Sequence, residues 1–436
     1  MKIETLKKSH LKRNIIIGVV GVLIISAIIL NFTKAKFRTT QSIPLVNGMI
    51  NYTPYDFKVM AMYQENDNGE YVEIETMPSS GYSINESESY CTIDNVNHDE
   101  EAILYTNDDG EHVIGNLKKN SKCYLYFDEE LSGSNTILAN YPTVLTRDNF
   151  RKTVTETTTG TIYKSLDSSQ YDNDGEVYYF AGNPTDNWVY FANFYWRIIR
   201  INGDGTIRLI YQGNSANTTG EATQITTSAF NNGNYTYHAG LSYNSTQHGL
   251  GKNSTILTAL YDWYESSNLN NFIEYIDKDT GFCGDRNMAS GYTWSSNPSD
   301  TMYYATYERI NNGKPIFKCN SSSDLYTNTD SANGNRILTY PIGLITADEA
   351  NFAGIWGNTT SNYLYTGENY WTMSPSGFIS YVTVFVIAWN GSLASGFGDW
   401  SVNDELGVRP VINLKADITI SSGDGTSSNP YVIATT

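Results

Sequence analysis

The sequence has few charged residues, few histidines and few cysteines. Charged residues occupy 17% of the 436 positions, where about 25% is usual in soluble domains. The four cysteines and five histidines do not follow the spacing of zinc-binding motifs. Basic residues are the minority charge, with 28 Lys and Arg against 46 Asp and Glu, which gives a net charge of -18. Nucleic acid is therefore not expected as a partner, since proteins that bind it present a basic face.

Motifs of the common enzyme classes are absent as well. The chain contains no Gly-x-Ser-x-Gly elbow, no Walker loop and no His-Glu-x-x-His sequence. Asp348 and Glu349 could form a carboxylate pair, but adjacent residues on a helix point in different directions and both suit a helix N-terminus. Asp204 and Asp424 lie in Gly-Asp-Gly-Thr turns, where a single carboxylate is far from the roughly six to eight oxygens that calcium takes. The sequence thus predicts no enzyme activity, no cofactor and no metal.

The polar residues that are present are mostly uncharged. Tyrosine alone occupies 34 positions, and Asn, Ser, Thr and Gly are frequent. This composition is typical of a hydroxyl-rich β protein outside the cytosol. At 40% hydrophobic residues the chain can bury ordinary cores, and at about 100 to 200 residues per domain its length accommodates two or three domains.

Residues 14–33 contain no charge and are almost entirely apolar. At about 1.5 Å per residue, a helix of this length spans the roughly 30 Å hydrocarbon layer of a membrane. Five basic residues precede the segment and three follow it, which favours a cytoplasmic N-terminus. We therefore predict that residues 1–38 are a cytoplasmic tail and an uncleaved transmembrane signal anchor, with the remaining chain outside the cell. A cleaved signal peptide and a buried core helix are the alternatives.

The chain beyond this predicted anchor is more acidic than the whole. Residues 1–38 hold eight basic residues and one acid, so the remainder has 20 Lys and Arg against 45 Asp and Glu, a net charge of -25. Such a charge keeps an exposed protein soluble and repels anionic polymers, but it specifies no fold.

The four cysteines are expected to form two disulfides, because the chain is predicted to lie outside the cytosol. Three pairings are possible for four cysteines. Proximity in the sequence favours Cys91 with Cys123 and Cys283 with Cys319, each pair in its own predicted domain. Disulfides that close loops of this length stabilise a fold by about 3 to 4 kcal/mol each, by restricting the unfolded chain.

Strand and turn patterns divide the exported part into a small and a large domain. In residues 39–131, short strands between Asn, Asp and Gly turns predict a β-sandwich spacer. Residues 132–175 include a Thr-rich stretch and are interpreted as a linker or an entry strand. Residues 176–436 are predicted to form an α+β domain, because a hairpin and two helices precede a late series of strands.

Local signals within the large domain predict four elements. A hairpin runs from Phe194 to Tyr211 around an Asn-Gly-Asp-Gly turn. One helix begins at an Asn253 cap and continues to about Leu269. A second, short helix has a capping box of Thr346 and Glu349 and ends at Gly354. The segment Tyr381–Trp389 is apolar on both faces and is predicted to be a buried strand.

Four segments together carry a resemblance to known proteins. They are FYWRIIRINGDGTIRLIYQG at 194–213, YPIGLITADEANFAG at 340–354, YWTMSPSGF at 370–378 and GVRPVINL at 407–414. In order and spacing they resemble a family of exported bacterial proteins frequent in Gram-positive gut organisms. The Gly-x-Arg-Pro sequence further resembles the C-type-lectin-like fold of formylglycine-generating-enzyme-like proteins and of the variable proteins of diversity-generating retroelements. Formylglycine-generating activity is not implied, because that chemistry uses late cysteines and none follows Cys319.

The resemblance implies a ligand-binding surface on the loops shortly before the Gly-x-Arg-Pro sequence. The candidate residues there are Trp389, Asn390, Ser392, Ser395, Phe397, Asp399 and Trp400. Large aromatic side chains offer rigid contact area, and Ser and Asn offer adaptable hydrogen bonds. The alternative is that Trp389 and Trp400 cover the domain's own core.

These observations predict a membrane-anchored, cell-surface protein that binds an extracellular protein or glycan, with a binding surface that a retroelement could diversify. A structural component of the cell envelope and an envelope enzyme acting on wall polymers are the alternatives. The lectin-like resemblance implies that Arg409 is a structural side chain that ties loops to the last strand by hydrogen bonds, and a catalytic or anion-binding role is the alternative.

Overall fold

The computed structural model describes residues 57–435 except 67–68, 79–81, 94–96, 107–111, 130–131, 233–252, 268, 294–299, 331–332, 380 and 397–399. The chain forms two compact units, which divide between Asp128 and Glu129. The predicted membrane anchor at residues 14–33 lies outside the described residues. Among the helices that are described, none has the length and apolar character needed to cross a membrane.

The first unit is built from one mixed sheet and one hairpin. Its strands are β1 (Phe57–Glu65), β2 (Tyr71–Ile74), β3 (Tyr82–Ile84), β4 (Tyr90–Ile93), β5 (Asn97–His98), β6 (Ile103–Thr106), β7 (His112–Gly115) and β8 (Ser121–Glu129). The sheet has the order β2-β1-β8-β4-β5, with β3 also paired to β8 and with β1 parallel to β8. Strands β6 and β7 form a separate antiparallel hairpin.

The core of the first unit lies around its disulfide. Cys91 and Cys123 face each other on the adjacent strands β4 and β8 and are bonded, which confirms the predicted pairing. Leu125 and Phe127 of β8 are fully buried beside them, and Ile114 of β7 joins the same apolar cluster. The second layer is therefore a single hairpin, which corrects the prediction of a two-sheet sandwich.

The second unit contains four short helices and seventeen described strands. The helices are α1 (Gly133–Ala139), α2 (Thr255–Ser266), α3 (Ala305–Asn312) and α4 (Ala347–Phe352). The strands are β9 (Thr143–Thr146), β10 (Thr161–Lys164), β11 (Tyr178–Tyr179), β12 (Trp188–Phe191), β13 (Phe194–Ile201), β14 (Ile207–Gly213), β15 (Thr226–Ala229), β16 (Phe282–Cys283), β17 (Thr301–Tyr303), β18 (Leu325–Tyr326), β19 (Tyr370–Ile379), β20 (Val382–Ile387), β21 (Leu393–Ala394), β22 (Glu405–Val408), β23 (Val411–Leu414), β24 (Ile420–Ser422) and β25 (Tyr431–Ile433).

The prediction of an α+β fold with a C-type-lectin-like domain is wrong. The described residues form 25 strands but only four α-helices, the longest of which has 12 residues. Segments rich in Asn, Gly, Ser and Thr form turns and short strands between the predicted elements. The helices are too short and too scattered to make a layer, so the chain is mostly β.

Two sheets form the body of the second unit. The nine-stranded sheet has the order β24-β25-β12-β13-β11-β10-β9, and β14 joins β13 to β23. The six-stranded sheet has the order β15-β22-β19-β20-β21, with β17 paired to β19. Because β22 belongs to one sheet and β23 to the other, the chain passes between the sheets at Arg409 and Pro410. Residues 132–175 contribute α1, β9 and β10 to this unit.

Most of the local predictions for the second unit are confirmed. Strands β13 and β14 pair as the predicted hairpin, and β20 is buried along its whole length. Thr346 and Glu349 form the predicted capping box of α4. The cap of α2 is Ser254, whose side chain accepts a hydrogen bond from the Leu257 N–H, in place of the predicted Asn253, and the helix ends earlier, at Ser266.

Candidate functional site

The hairpin between β20 and β21 ends in a tight turn, Ala388–Ser392, which we call the Trp389 tip. The Gly391 N–H donates to the Ala388 carbonyl at 2.7 Å, and the Ala388 N–H donates to the Ser392 carbonyl at 2.9 Å. Gly391 has φ +75°, and a Cβ there would lie 1.6 Å from the Thr359 carbonyl oxygen. Only glycine fits this position, so the sequence Asn390-Gly391 fixes the turn.

Trp389 is the exposed tryptophan of the described structure. Its side chain is in large part open to solvent, since the residue is 61% exposed. Its backbone N–H donates to the Asn369 Oδ1 at 2.8 Å. The other six described tryptophans pack in or against the apolar clusters. Of these, Trp188, Trp196 and Trp371 are buried, and Trp263, Trp356 and Trp400 are half-buried. The alternative that Trp389 covers the core is therefore wrong, whereas Trp400 does contact the core.

The structure brings three of the predicted ligand-binding residues together. Trp389, Asn390 and Ser392 share the tip, where the Asn390 Oδ1 accepts hydrogen bonds from the Ser392 N–H and hydroxyl. The Ser395 carbonyl lies further along and accepts a hydrogen bond from the Ser376 hydroxyl at 2.6 Å. Phe397 and Asp399 lie outside the described residues.

Residues of a second loop support the tip, and no sequence motif predicts them. The Thr359 N–H donates to the Asn390 carbonyl at 3.0 Å, and Asn369 binds the Trp389 N–H. The neighbours of Thr359, Asn358 and Thr360, are exposed beside it. These residues are 20 to 31 positions from Trp389 in the sequence, and no periodic pattern links the two segments. The tip thus presents an exposed indole on a turn that hydrogen bonds from the second loop hold in place.

A second polar region is a cavity of about 90 Å³ between the sheets and α4, which we call the charged cavity. Its lining includes seven acids and four basic residues: Asp172, Asp174, Asp204, Asp279, Asp285, Asp348, Glu349, Arg200, Arg208, Arg309 and Lys318. The disulfide between Cys283 and Cys319 also lines it, and this bond confirms the second predicted pairing. A cavity of this size holds a few water molecules at about 30 Å³ each.

Glu349 is the centre of one buried ion network. Its Oε1 lies 3.0 Å from the Arg200 Nε and 2.5 Å from the Arg208 Nε, and its Oε2 accepts the Thr346 N–H. Burial alone would raise the pKa of Glu349, but the charges of Arg208 and Arg200 outweigh burial and hold that pKa below its ordinary value. Burial lowers the pKa of Arg208 to about 10, so this guanidinium stays charged at neutral pH.

Arg309 is the centre of the other network. It forms a two-bond contact with Asp348, from Nε to Oδ1 at 3.1 Å and from Nη2 to Oδ2 at 2.8 Å. It also binds Asp285. Burial lowers the pKa of Arg309, but the two carboxylates outweigh that effect and raise it above its ordinary value. Asp348 and Glu349 thus belong to separate ion networks and do not form a catalytic pair.

Three further predicted roles can be read from hydrogen bonds. Arg409 is fully buried and donates to the Tyr211 and Leu364 carbonyls and to the Gln212 side chain, which confirms its structural interpretation. Asp204 and Asp424 each accept a threonine N–H two residues later, as turn formation predicts. Within the described residues, no group of three or more His, Cys, Asp or Glu side chains is arranged to hold a metal ion.

Comparison with known proteins identifies no relative. No protein-family model, curated protein sequence or solved structure matches the chain. The resemblance to exported bacterial proteins stays a prediction from the four sequence segments, and the function has to be argued from the two regions described above.

Proposed function

We propose that this chain is an exported cell-surface protein that binds an uncharged glycan through the Trp389 tip. The observation that carries the proposal is the 61% exposure of Trp389 on a turn that Gly391 and Asn369 hold in place. Exposing an indole to water has a free-energy cost, and contact with a ligand recovers it. A turn that is already fixed loses little conformational entropy when the ligand binds.

The groups around the indole favour a glycan as the ligand. A sugar ring has an apolar face that can stack on Trp389, and it has hydroxyls that can bond to amides and hydroxyls. Asn390 in the tip, and Asn358 and Thr360 on either side of the supporting residue Thr359, are residues that can supply such groups. Because the chain beyond residue 38 has a net charge of -25, an anionic polymer would be repelled. An uncharged glycan fits both the local chemistry and the overall charge.

The two disulfides support a location outside the cytosol, where such bonds form and persist. The apolar residues 14–33 would then hold the protein at the membrane, with the second unit outside the cell. The charged cavity has a different role in this proposal. Four of its seven acids, Asp172, Asp285, Asp348 and Glu349, are paired with arginines, and these ion pairs stabilise the fold that presents the tip.

The test uses the full-length chain in detergent and an array that carries uncharged glycans, anionic glycans and proteins. We expect binding to uncharged glycans. Trp389→Ala should weaken it by about 2 kcal/mol or more, the loss typical of a central aromatic contact. Trp389→Phe should keep part of the affinity, because a ring remains.

The matched control is Tyr292→Ala, which removes another aromatic side chain that is 40% exposed. This variant should bind like the wild type. Undiminished glycan binding by Trp389→Ala would show that the site lies elsewhere. Binding only to proteins would replace the glycan with a protein ligand at the same tip.

A further inference from the structure

The loop that supports the Trp389 tip also places a second aromatic side chain beside it. We call residues 357–369 the support loop. Its hydrogen bonds to Trp389 and Asn390 are described above. At the next residue, Gly391, the contact is made by the ring of Tyr365, because a Cβ at Gly391 would lie 3.2 Å from the Tyr365 Cδ2. Tyr365 is therefore a neighbour of the tip, although it is 24 positions from Trp389 in the sequence.

Tyr365 differs from the nearest tyrosines on either side of it in the sequence. Tyr363 is 3% exposed and Tyr370 is fully buried, and both belong to the apolar core of the second unit. Tyr365 is half-buried. Among the residues that the structure describes, none forms a hydrogen bond with its hydroxyl or an aromatic contact with its ring. The exposed part of this phenol, like the indole of Trp389, is therefore available to a ligand.

The backbone around Tyr365 is fixed by hydrogen bonds. The Tyr365 N–H donates to the Asn362 carbonyl at 2.9 Å. The carbonyl of the preceding Leu364 accepts hydrogen bonds from the Tyr370 hydroxyl at 2.7 Å and from the Arg409 guanidinium at 3.3 Å. A site built on such a fixed backbone loses little conformational entropy when a ligand binds.

The indole of Trp389 and the phenol of Tyr365 are two separate contact points. The two described rings form no aromatic contact with each other. Because Gly391 has no side chain, no side chain at that position separates the tip from the phenol that contacts it. A single sugar that stacks on the indole leaves the phenol free, whereas a chain of sugars can contact both rings.

We propose that Tyr365 is a second ligand-contacting residue of this site, and that the site binds a chain of two or more uncharged sugars. The inference rests on the proposed function, because it concerns the same glycan. A tyrosine combines an apolar ring with a polar hydroxyl, and a sugar can use both. The tip and the support loop contain one charged residue, the acid Glu368, so an uncharged chain fits the whole surface.

The test measures how the affinity depends on the length of the sugar chain. Uncharged sugars of one to four units, built from glucose, galactose, mannose, xylose or N-acetylglucosamine, are titrated into the full-length chain in detergent. Ligand-observed NMR detects the binding. We expect at least one four-unit sugar to bind more than about tenfold more tightly than its single unit, because only the longer sugar reaches Tyr365.

Tyr365→Ala should remove this dependence on length. The affinity for the four-unit sugar should fall about tenfold, whereas the single sugar, which contacts only the indole, should bind as it does to the wild type. Tyr365→Phe keeps the ring and should retain most of the affinity. Trp389→Ala should weaken the binding of every length. Tyr292→Ala, which removes an exposed aromatic side chain elsewhere, is the control and should bind like the wild type.

Hydrogen exchange separates a ligand contact from a structural role of Tyr365. The Trp389 amide is protected by its hydrogen bond to Asn369, and it should exchange at the wild-type rate in Tyr365→Ala. Faster exchange, together with an equal loss of affinity for every length, would show that Tyr365 only holds the tip in place. That result would overturn the proposal.

The remaining outcomes distinguish this inference from the proposed function. If binding is lost in Trp389→Ala but unchanged in Tyr365→Ala, or if the wild type binds single units as tightly as four-unit sugars, this inference fails and the proposed function stands. If the wild type binds none of the sugars, both fail.

Discussion

The charged cavity and the Trp389 tip differ in how their side chains meet solvent. In the cavity, ionic groups such as Arg208 and Glu349 are at least 97% buried and held by one another. At the tip, a large aromatic side chain, that of Trp389, is 61% exposed. The comparison teaches that polarity alone does not mark the surface available to a ligand. Buried charges fix the loops of this fold, and an exposed aromatic remains free for contact.

Four predictions test whether the two regions are separate in this way, in order from the largest expected effect to the smallest. All eight tryptophans of the chain lie between residues 188 and 400. Tryptophan fluorescence during unfolding in urea therefore reports on the second unit, which contains both regions.

The largest effect is expected for Arg208→Ala. This change leaves Glu349 buried with one guanidinium partner, and it removes hydrogen bonds to the Gly281 carbonyl and the Asn413 side chain, both at 3.1 Å. The free energy of unfolding should fall by about 3 to 5 kcal/mol. Molecules that remain folded should bind glycan normally. Arg336→Ala is the control, because it breaks the exposed pair with Asp330 and should cost less than about 1 kcal/mol.

The second effect concerns the disulfide beside the cavity. Cys283→Ser/Cys319→Ser opens a loop of 36 positions, and the free energy of unfolding should fall by about 3 to 4 kcal/mol because the unfolded chain gains entropy. The matching double change at Cys91 and Cys123 should leave the tryptophan signal unaltered, since that bond lies in the first unit. A shift of the tryptophan transition in the matching variant would contradict this expectation.

The third effect depends on pH. Because the pKa of Glu349 is lower in the folded than in the unfolded protein, its ion pairs stabilise the fold above the unfolded pKa of about 4.3. That stabilisation is lost as the pH falls from about 4.3 through the folded value. Glu349→Gln should remove this part of the acid dependence, so that unfolding takes up to about one proton less below pH 4.3. Urea titrations over a pH series measure the difference.

The smallest effect on stability is expected for Trp389→Ala. The indole is mostly in water, so the free energy of unfolding should change by less than about 0.5 kcal/mol, whereas the proposed glycan binding should weaken by about 2 kcal/mol or more. Trp196→Ala is the contrasting variant, because that side chain is fully buried and its removal should cost about 3 to 5 kcal/mol. Equal losses of stability in the two variants would remove the distinction between the tip and the core.

Local features of the fold could be predicted, because each depends on neighbouring residues. The β13–β14 hairpin follows from its Asn-Gly-Asp-Gly turn, and the cap of α4 follows from Thr346 and Glu349, three positions apart. The disulfides followed from proximity in the sequence. The structural role of Arg409 was implied by the lectin-like resemblance, and its hydrogen bonds to the Tyr211 and Leu364 carbonyls confirm that role.

Features that depend on distant residues could not be predicted. Glu349 pairs with Arg200 and Arg208, which are 149 and 141 positions away in the sequence. The one available signal that these arginines are buried was their position between apolar residues in β13 and β14. The support of the Trp389 tip by Thr359 and Asn369 had no such signal. The α+β prediction failed because two well-capped helices were given more weight than many short strands, whose partners are set by the sheets.

The passage of the chain between the two sheets has a mechanical consequence. A ligand held at Trp389 pulls on β20 and, through β19, on β22 in the six-stranded sheet. The force then reaches β23 and the nine-stranded sheet through the covalent backbone at Arg409 and Pro410. The buried guanidinium of Arg409 donates hydrogen bonds to the Tyr211 and Leu364 carbonyls at this point. The hydrogen bonds of Arg409 therefore help to hold the junction between the two sheets when force is applied at the tip.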